Sequence, residues 1–116
     1  MKVLITGAAG FLGGRLTKYL AARPDYAVLA TSRRTHRTLE LTAAGAAFVP
    51  WHEAQGRLVD ILRDVEAVVH CAALSSPWGA YEAFYAANVT LTRHLLEATR
   101  SVGVRRFVHI STPSGG

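Results

Sequence analysis

The sequence predicts an α/β fold in which a parallel sheet is covered by helices on both faces. Short apolar runs alternate with amphipathic stretches from one end of the chain to the other, which is typical of βα units whose strands are buried on both sides. A glycine-rich segment, Gly7 to Gly13, stands between the first apolar run and the first amphipathic stretch. Together these features predict a Rossmann-type, doubly wound sheet of five strands in the order 3-2-1-4-5.

Each element follows from a bounded run of residues. Glycine, proline or charged residues bound the apolar runs, which is how short buried strands end. The predicted strands are Lys2–Thr6, Ala27–Thr31, Ala46–Val49, Ala67–Cys71 and Phe107–Ser111. The predicted helices are Phe11–Arg23, Thr38–Ala44, 58–65 and Tyr81–Val102. The 116 residues predict one domain, and because the usual fold continues to a sixth strand, we expect a sheet truncated after the fifth.

Composition and charge exclude several classes of protein. Half of the residues are hydrophobic and 18% are charged, as in a globular domain. No apolar run reaches the roughly 18 residues of a membrane span, and the N-terminus does not resemble a signal peptide. A single cysteine, Cys71, predicts a cytoplasmic protein without disulfides. The net charge of +5 comes without a Lys/Arg tract, which predicts attraction of a phosphorylated cofactor and no binding to nucleic acid or membrane.

The glycine segment is the strongest chemical signal. Gly7 permits a tight turn off the strand, Gly10 permits the backbone to approach a pyrophosphate, and Gly13 permits the helix to pack closely on the sheet. The start of the helix then offers free N–H groups to phosphates. The alternative is a turn with a structural role only. A mononucleotide P-loop is excluded, because it requires Gly-Lys-Ser/Thr where this chain has Gly14-Arg15-Leu16.

The end of the second strand predicts which dinucleotide binds. NAD-preferring sites place an acidic residue there to bond the ribose hydroxyls, whereas this chain has Thr31-Ser32-Arg33-Arg34. An arginine side chain presents a planar fork of donors that suits a phosphate. We therefore expect NADP to be favoured over NAD, with Arg33 as the main contact and Ser32 or Arg34 assisting. The alternative is that both arginines are only solvated.

Several motifs carry a resemblance to a known family. Residues 6–13 read Thr-Gly-Ala-Ala-Gly-Phe-Leu-Gly, residues 70–73 read His-Cys-Ala-Ala, and related patterns stand at 88–89, 95–98 and 104–112. They resemble the N-terminal part of the extended short-chain dehydrogenase/reductase superfamily, in its NAD-dependent epimerase/dehydratase group. The resemblance covers essentially the whole chain. Residues 76–79 and 111–114 are most similar to the steroid-dehydrogenase-like branch.

The resemblance implies roles for individual residues. The glycine segment, with Phe11 and Leu12, would line the pyrophosphate, and the backbone at Cys71, Ala72 and Ala73 would lie against the adenosine side and its ribose. Many family members place an aspartate near the adenine after the third strand, where this chain has His52 and Glu53. Either of these could substitute, or adenine recognition differs.

The same resemblance implies part of a catalytic site. Thr112 would occupy the catalytic Ser/Thr position with Ser111 beside it, and Asn88 would join the active-site hydrogen-bond network. The alternatives are a polar residue tolerated in a helix and an ordinary turn at the end of a strand. The family's Tyr-x-x-x-Lys pair, which moves the proton that accompanies hydride transfer, has no match in these 116 residues.

Two hypotheses follow from that missing pair. The first is an oxidoreductase or epimerase fragment that binds NADP but does not turn over alone, with a small-molecule substrate only in a full-length form. The second is a non-catalytic nucleotide-binding protein, a redox sensor or a subunit. The exposed edge of a five-stranded sheet also predicts a homodimer or aggregation. The histidines show no metal-ligand spacing, so we expect no metal site and interpret His70 and His109 as core residues.

Overall fold

The computed structural model describes residues 1–73 and 81–112 of the chain, and side chains within 1–71 and 89–110. The strands are β1 Lys2–Thr6, β2 Ala27–Ser32, β3 Ala47–Pro50, β4 Ala67–Ala73 and β5 Arg106–Thr112. The helices are α1 Phe11–Ala21, α2 Thr38–Ala43, α3 Trp51–Ala54, α4 Leu58–Leu62 and α5 Tyr81–Val102, with a 3-10 turn at Gln55–Arg57.

The five strands form one parallel sheet in the order β3-β2-β1-β4-β5. This confirms the predicted Rossmann-type architecture and strand order. Because the strands are parallel, the carboxyl ends of β1, β2, β4 and β5 lie at one edge of the sheet. That edge carries the glycine segment and the residues that follow the second strand.

Helices α1, α2 and α4 end before the predicted residue, and helix α3 was not predicted. Helix α1 ends at Ala21 instead of Arg23, because Pro24 disfavours helical backbone in the residue before it. Helix α4 ends at Leu62 rather than at residue 65. Helix α3 was not predicted at all, since four residues are too few to show a helical period. Its Trp51 is buried in the core, so tertiary packing holds this turn in place.

Two apolar cores lie on the opposite faces of the sheet. Side chains alternate along a strand, so Leu4 and Val68 face one side while Val3 and Ile5 face the other. The first face packs against helices α3, α4 and α5, through residues that include Trp51, Leu62 and Leu95. The second face packs against α1 through Leu16 and Leu20. The cores hold β1 and β4 at the centre of the sheet, directly beneath the glycine segment.

The outer strand β5 leaves apolar surface exposed. Val108 on this strand is 47% exposed, and β5 pairs with β4 at the end of the described sheet. In the part of the chain that the structure describes, no helix is both long enough and apolar enough to cross a membrane.

Candidate functional site

The glycine segment forms a tight loop between β1 and α1. Gly7 has a φ of +67°, a backbone conformation that only glycine adopts without strain, so the predicted turn is present. The Gly7 carbonyl accepts a hydrogen bond from the Gly10 N–H at 3.0 Å, and the Ala8 N–H donates to the Thr31 carbonyl at 3.2 Å. The loop is therefore fixed to itself and to the second strand.

Two glycines of this loop leave no space for a side chain. A Cβ atom on Gly7 would lie 2.1 Å from the Cys71 carbonyl oxygen of β4. A Cβ atom on Gly13 would lie 2.2 Å from the Gly7 carbonyl oxygen. The first turn of α1 thus packs directly on the loop, and the loop packs directly on β4, as the sequence predicted for Gly13.

The start of α1 is open toward the carboxyl edge of the sheet. Gly10 is the N-cap, no side chain caps the helix there, and its first turn holds no acidic residue. The first N–H groups of a helix have no partner within it and carry partial positive charge. Phe11 is 59% and Leu12 is 38% exposed, so two apolar side chains flank these donors. The arrangement suits a phosphate with an apolar group beside it.

Arginines follow the second strand. Ser32 is buried, and its hydroxyl donates to the Arg34 carbonyl, which fixes the bend after β2 and leaves Arg33 and Arg34 exposed. The positive charge of Arg33 also contributes, after burial and His109, to the lowered pKa of His70. Because the Ser32 hydroxyl is hydrogen-bonded to the backbone, the role of Ser32 is to fix the turn that carries the two arginines.

A further arginine lies at the site that the sequence prediction did not include. Nη1 of Arg37 lies 3.1 Å from the point that a Cβ on Gly14 would occupy, in the first turns of α1. Its Nε lies 3.9 Å from a carboxylate oxygen of Glu40, which also pairs with Lys18 of α1. Gly14 therefore makes room for the Arg37 side chain beside the glycine loop. In the sequence, only the position of Arg37 four residues after Arg33 pointed to this residue. Its contact with Gly14 joins segments that are distant in the sequence, so the sequence did not show it.

The end of β4 adjoins the loop. Cys71 is partly buried, and burial raises the pKa of its thiol to about 11, so the thiol is protonated and unreactive at neutral pH. Its carbonyl is the group that meets Gly7. Ala72 and Ala73 pair in register with Ser111 and Thr112 of β5.

The predicted catalytic residues are placed only by their backbone. Ser111 and Thr112 end β5 at the carboxyl edge of the sheet, and Asn88 lies in α5. The side chains of all three, and those of Ala72 and Ala73, lie outside the described residues. Their predicted roles in binding or catalysis stay predictions.

The histidines interpreted as core residues differ in their surroundings. His70 is 2% exposed; its Nδ1 lies 2.5 Å from the Thr6 hydroxyl and its Nε2 lies 2.7 Å from the Thr92 hydroxyl. Burial, then the charges of His109 and Arg33, lower its pKa from 6.5 to about 4, so the ring is neutral. This confirms a satisfied core histidine. His109 stacks on His70 with ring centroids 5.0 Å apart but is exposed, so the core prediction is wrong for it, because β5 is an outer strand.

Other candidate positions are at the surface. His52 and Glu53, the possible substitutes near the adenine, are both exposed on α3. Within the described ranges 1–73 and 81–112, no three His, Cys, Asp or Glu residues are grouped so as to hold a metal ion.

Comparison with known proteins gives consistent matches. The model of the NAD dependent epimerase/dehydratase family matches residues 3–115. An uncharacterised Escherichia coli protein, YbjS, is 39% identical over 98% of this chain and 34% of its own length. A 2-alkyl-3-oxoalkanoate reductase of Stenotrophomonas maltophilia is 35% identical over 98% of this chain and 34% of its own.

The solved structures agree with the sequence matches. A UDP-glucuronic acid 4-epimerase from Bacillus cereus, solved in complex with NAD, aligns with a TM-score of 0.76 and 31% identity over 97% of this chain and 40% of its own. The chain spans about a third of the length of these two curated relatives. The sequence resemblance is confirmed at the level of the family: this chain belongs to the NAD dependent epimerase/dehydratase family.

Proposed function

We propose that this chain is the dinucleotide-binding domain of an NAD(P)-dependent oxidoreductase, epimerase or dehydratase. The observation that carries the proposal is the closed glycine loop at the start of α1. Its Gly7 and Gly13 contacts leave room for no side chain, and the helix it opens has no side-chain cap. Loop and helix start therefore present backbone donors to a diphosphate.

The residues present fit a dinucleotide. The exposed side chains of Phe11 and Leu12 would cover the diphosphate from one side. The backbone of residues 71–73 would lie against the adenosine on the other side. When bound, the nicotinamide supplies hydride transfer. The backbone N–H groups at the start of α1 would hold the phosphates, and the ribose would lie at the end of β2.

We favour NADP over NAD because of the charge at the end of β2. Residues 31–34 include no carboxylate to accept bonds from a ribose hydroxyl. Arg33 is exposed there, and Arg37 approaches from beside Gly14, supported by Glu40. Two arginines in the connection between β2 and α2 would make a site for a 2′-phosphate, with Arg34 and the Ser32 turn assisting.

Calorimetric titration with NADPH and NADH tests this proposal. We expect Arg33→Ala to weaken NADPH binding by about 10- to 100-fold, because charge-assisted hydrogen bonds are worth about 1.5–3 kcal/mol. NADH binding should change little, since NADH has no 2′-phosphate. Arg37→Ala should act in the same direction.

Arg63→Ala is the matched control, because Arg63 lies just after α4 and its side chain is 72% exposed. Equal NADPH affinity in the Arg33→Ala and Arg63→Ala variants would show that Arg33 is only solvated. Tighter binding of NADH than NADPH by the unaltered chain would overturn the NADP preference. Binding of neither would overturn the proposed function itself.

The catalytic part of the proposal rests on the family resemblance. Thr112 with Ser111 would bond the reacting oxygen of the substrate, and Asn88 would complete the hydrogen-bond network. None of the tyrosines is followed four residues later by a lysine, so we propose that these 116 residues bind cofactor without turnover. Substrate would then be bound only by a longer form.

We also propose that the chain self-associates through β5. An unpaired outer strand offers N–H and C=O groups to another chain, and Val108 adds exposed apolar surface there. Light scattering over a range of protein concentrations should show a dimer or larger species, and Val108→Lys should shift it toward monomer. A monomer at every concentration would contradict this. We also propose a cytoplasmic location, because a single cysteine cannot build a disulfide framework.

A further inference from the structure

Polar side chains form a continuous hydrogen-bonded connection from the sheet to α5. Thr6 ends β1, His70 lies in β4, and Thr92 lies in α5. The two ring nitrogens of His70 meet the hydroxyls of Thr6 at 2.5 Å and Thr92 at 2.7 Å. Thr6 and His70 are both 2% exposed, so water has little access to the bond between them. We call these residues the Thr6–His70–Thr92 triad.

One end of the triad adjoins the glycine loop. Thr6 directly precedes Gly7, whose carbonyl accepts the Gly10 N–H and lies against Gly13. Residue 71, directly after His70, supplies the carbonyl that meets Gly7. The loop is therefore held to β4 twice, by backbone contact and by the Thr6–His70 side-chain bond.

The other end of the triad fixes α5. Thr92 comes four residues, one helical turn, after Asn88 in that helix. Leu95 and Ala98 of this helix belong to the core cluster that packs on the sheet. The bond from Thr92 to the ring of His70 adds a directional contact that favours one rotation and one height of the helix along the strands.

A neutral imidazole suits this place. It has one donor nitrogen and one acceptor nitrogen, whereas a hydroxyl both donates and accepts. Either tautomer satisfies both threonines, and no charge is buried. An apolar residue at position 70 would take this partner away from both hydroxyls.

We propose that the Thr6–His70–Thr92 triad positions the dinucleotide site, by holding the glycine loop and α5 at one spacing. His70 is a positioning residue in this arrangement, since it acts on the loop through Thr6 and on the helix through Thr92. This inference rests on the proposed cofactor binding for its functional effect, while its structural effect is independent of any ligand.

Three variants of α5 test the proposal. Thr92→Val removes the hydroxyl, and Thr92→Ser keeps it. Thr99→Val is the matched control: Thr99 is 6% exposed in the same helix, but its hydroxyl bonds the Leu96 carbonyl of that helix, at 2.8 Å. A methyl replaces a hydroxyl in both valine variants, so a general loss of helix stability is common to them.

The first readout is the affinity of each variant for NADPH, measured together with the midpoint temperature of its thermal unfolding. We expect Thr92→Val to weaken binding roughly three- to thirtyfold, the range in which residues remote from a ligand alter affinity. Thr99→Val should bind like the unaltered chain, and Thr92→Ser should retain most of the affinity. Unaltered affinity in Thr92→Val, or equal loss in Thr92→Ser, overturns the triad's role in positioning.

The second readout needs no ligand. Amide hydrogen exchange of residues 7–10, measured by NMR, should accelerate in Thr92→Val and not in Thr99→Val. If the unaltered chain binds neither NADPH nor NADH, the proposed function fails. The exchange measurement still tests whether the triad holds the glycine loop in place. If the exchange rates of residues 7–10 are the same in Thr92→Val and Thr99→Val, the inference is overturned.

Discussion

Alanine at position 7 is expected to remove a large part of the stability of the folded protein. The left-handed backbone of Gly7, with φ +67°, would cost a side-chain-bearing residue about 1–2 kcal/mol. A Cβ atom would also lie 2.1 Å from the Cys71 carbonyl oxygen, and forcing packed backbone apart costs about 1–3 kcal/mol more. Together these costs come to about 2–5 kcal/mol, a large part of the roughly 5–15 kcal/mol by which a small domain is stable. Urea unfolding followed by circular dichroism measures the loss.

Two other glycines separate the causes. Gly103 has a φ of +84°, but no atom lies within 4 Å of the point that a Cβ atom would occupy, so Gly103→Ala should show the backbone cost alone. Gly56 has neither feature, and Gly56→Ala should leave stability within about 0.5 kcal/mol. A Gly7→Ala variant no less stable than Gly103→Ala would show that β4 moves aside freely, and that the loop is not closed against it.

Acid should destabilise the protein well above the range in which carboxylates titrate. The pKa of His70 is lowered in the folded protein from 6.5 to about 4, chiefly because burial disfavours its charged form. Below pH 6.5 the unfolded chain gains a proton that the folded chain does not, so the free energy of unfolding falls as pH falls toward about 4. Its decrease between pH 7 and pH 5 should be about 2 kcal/mol.

Urea unfolding at several pH values measures this slope, and His70→Gln should flatten it between pH 5 and 6.5. The pKa values of Glu40 and Asp64 are lowered mainly by hydrogen bonds to Lys18 and Lys2. These two carboxylates therefore affect the free energy of unfolding chiefly below about pH 5. Because the variant can fail to fold, the His70 ring is also followed directly by NMR in the unaltered chain. A ring that titrates near 6.5 would contradict the prediction. The groups around it are Thr6, Thr92, Phe107, His109 and the charge of Arg33.

Local sequence was sufficient for the architecture. The strands are short apolar runs, most of which end at a glycine, a proline or a polar residue. The alternation of strands and helices, with right-handed crossovers, leaves few sheet topologies, and the glycine segment after the first strand favours the one observed. The glycine loop was also readable, because a left-handed turn and a close helix approach both require glycine. These features depend on residues within about ten positions of one another, so the amino-acid order expresses them directly.

Tertiary structure decided the contacts between distant segments. Four residues are too few to show a helical period at Trp51, whereas in the folded chain Trp51 is buried in the same core cluster as Leu4 and Leu58. Arg37 reaches the glycine loop only because α2 packs beside Gly14, and β5 leaves His109 exposed only because it lies at the edge of the sheet.

His70 shows the same division at a single residue. Its apolar neighbours in the sequence predicted a buried, satisfied ring, but its partners are 64 and 22 residues away. Burial follows from local hydrophobicity, which the sequence displays. Hydrogen-bond partners follow from which strands and helices become neighbours, and that is determined only when the whole sheet has closed around its core.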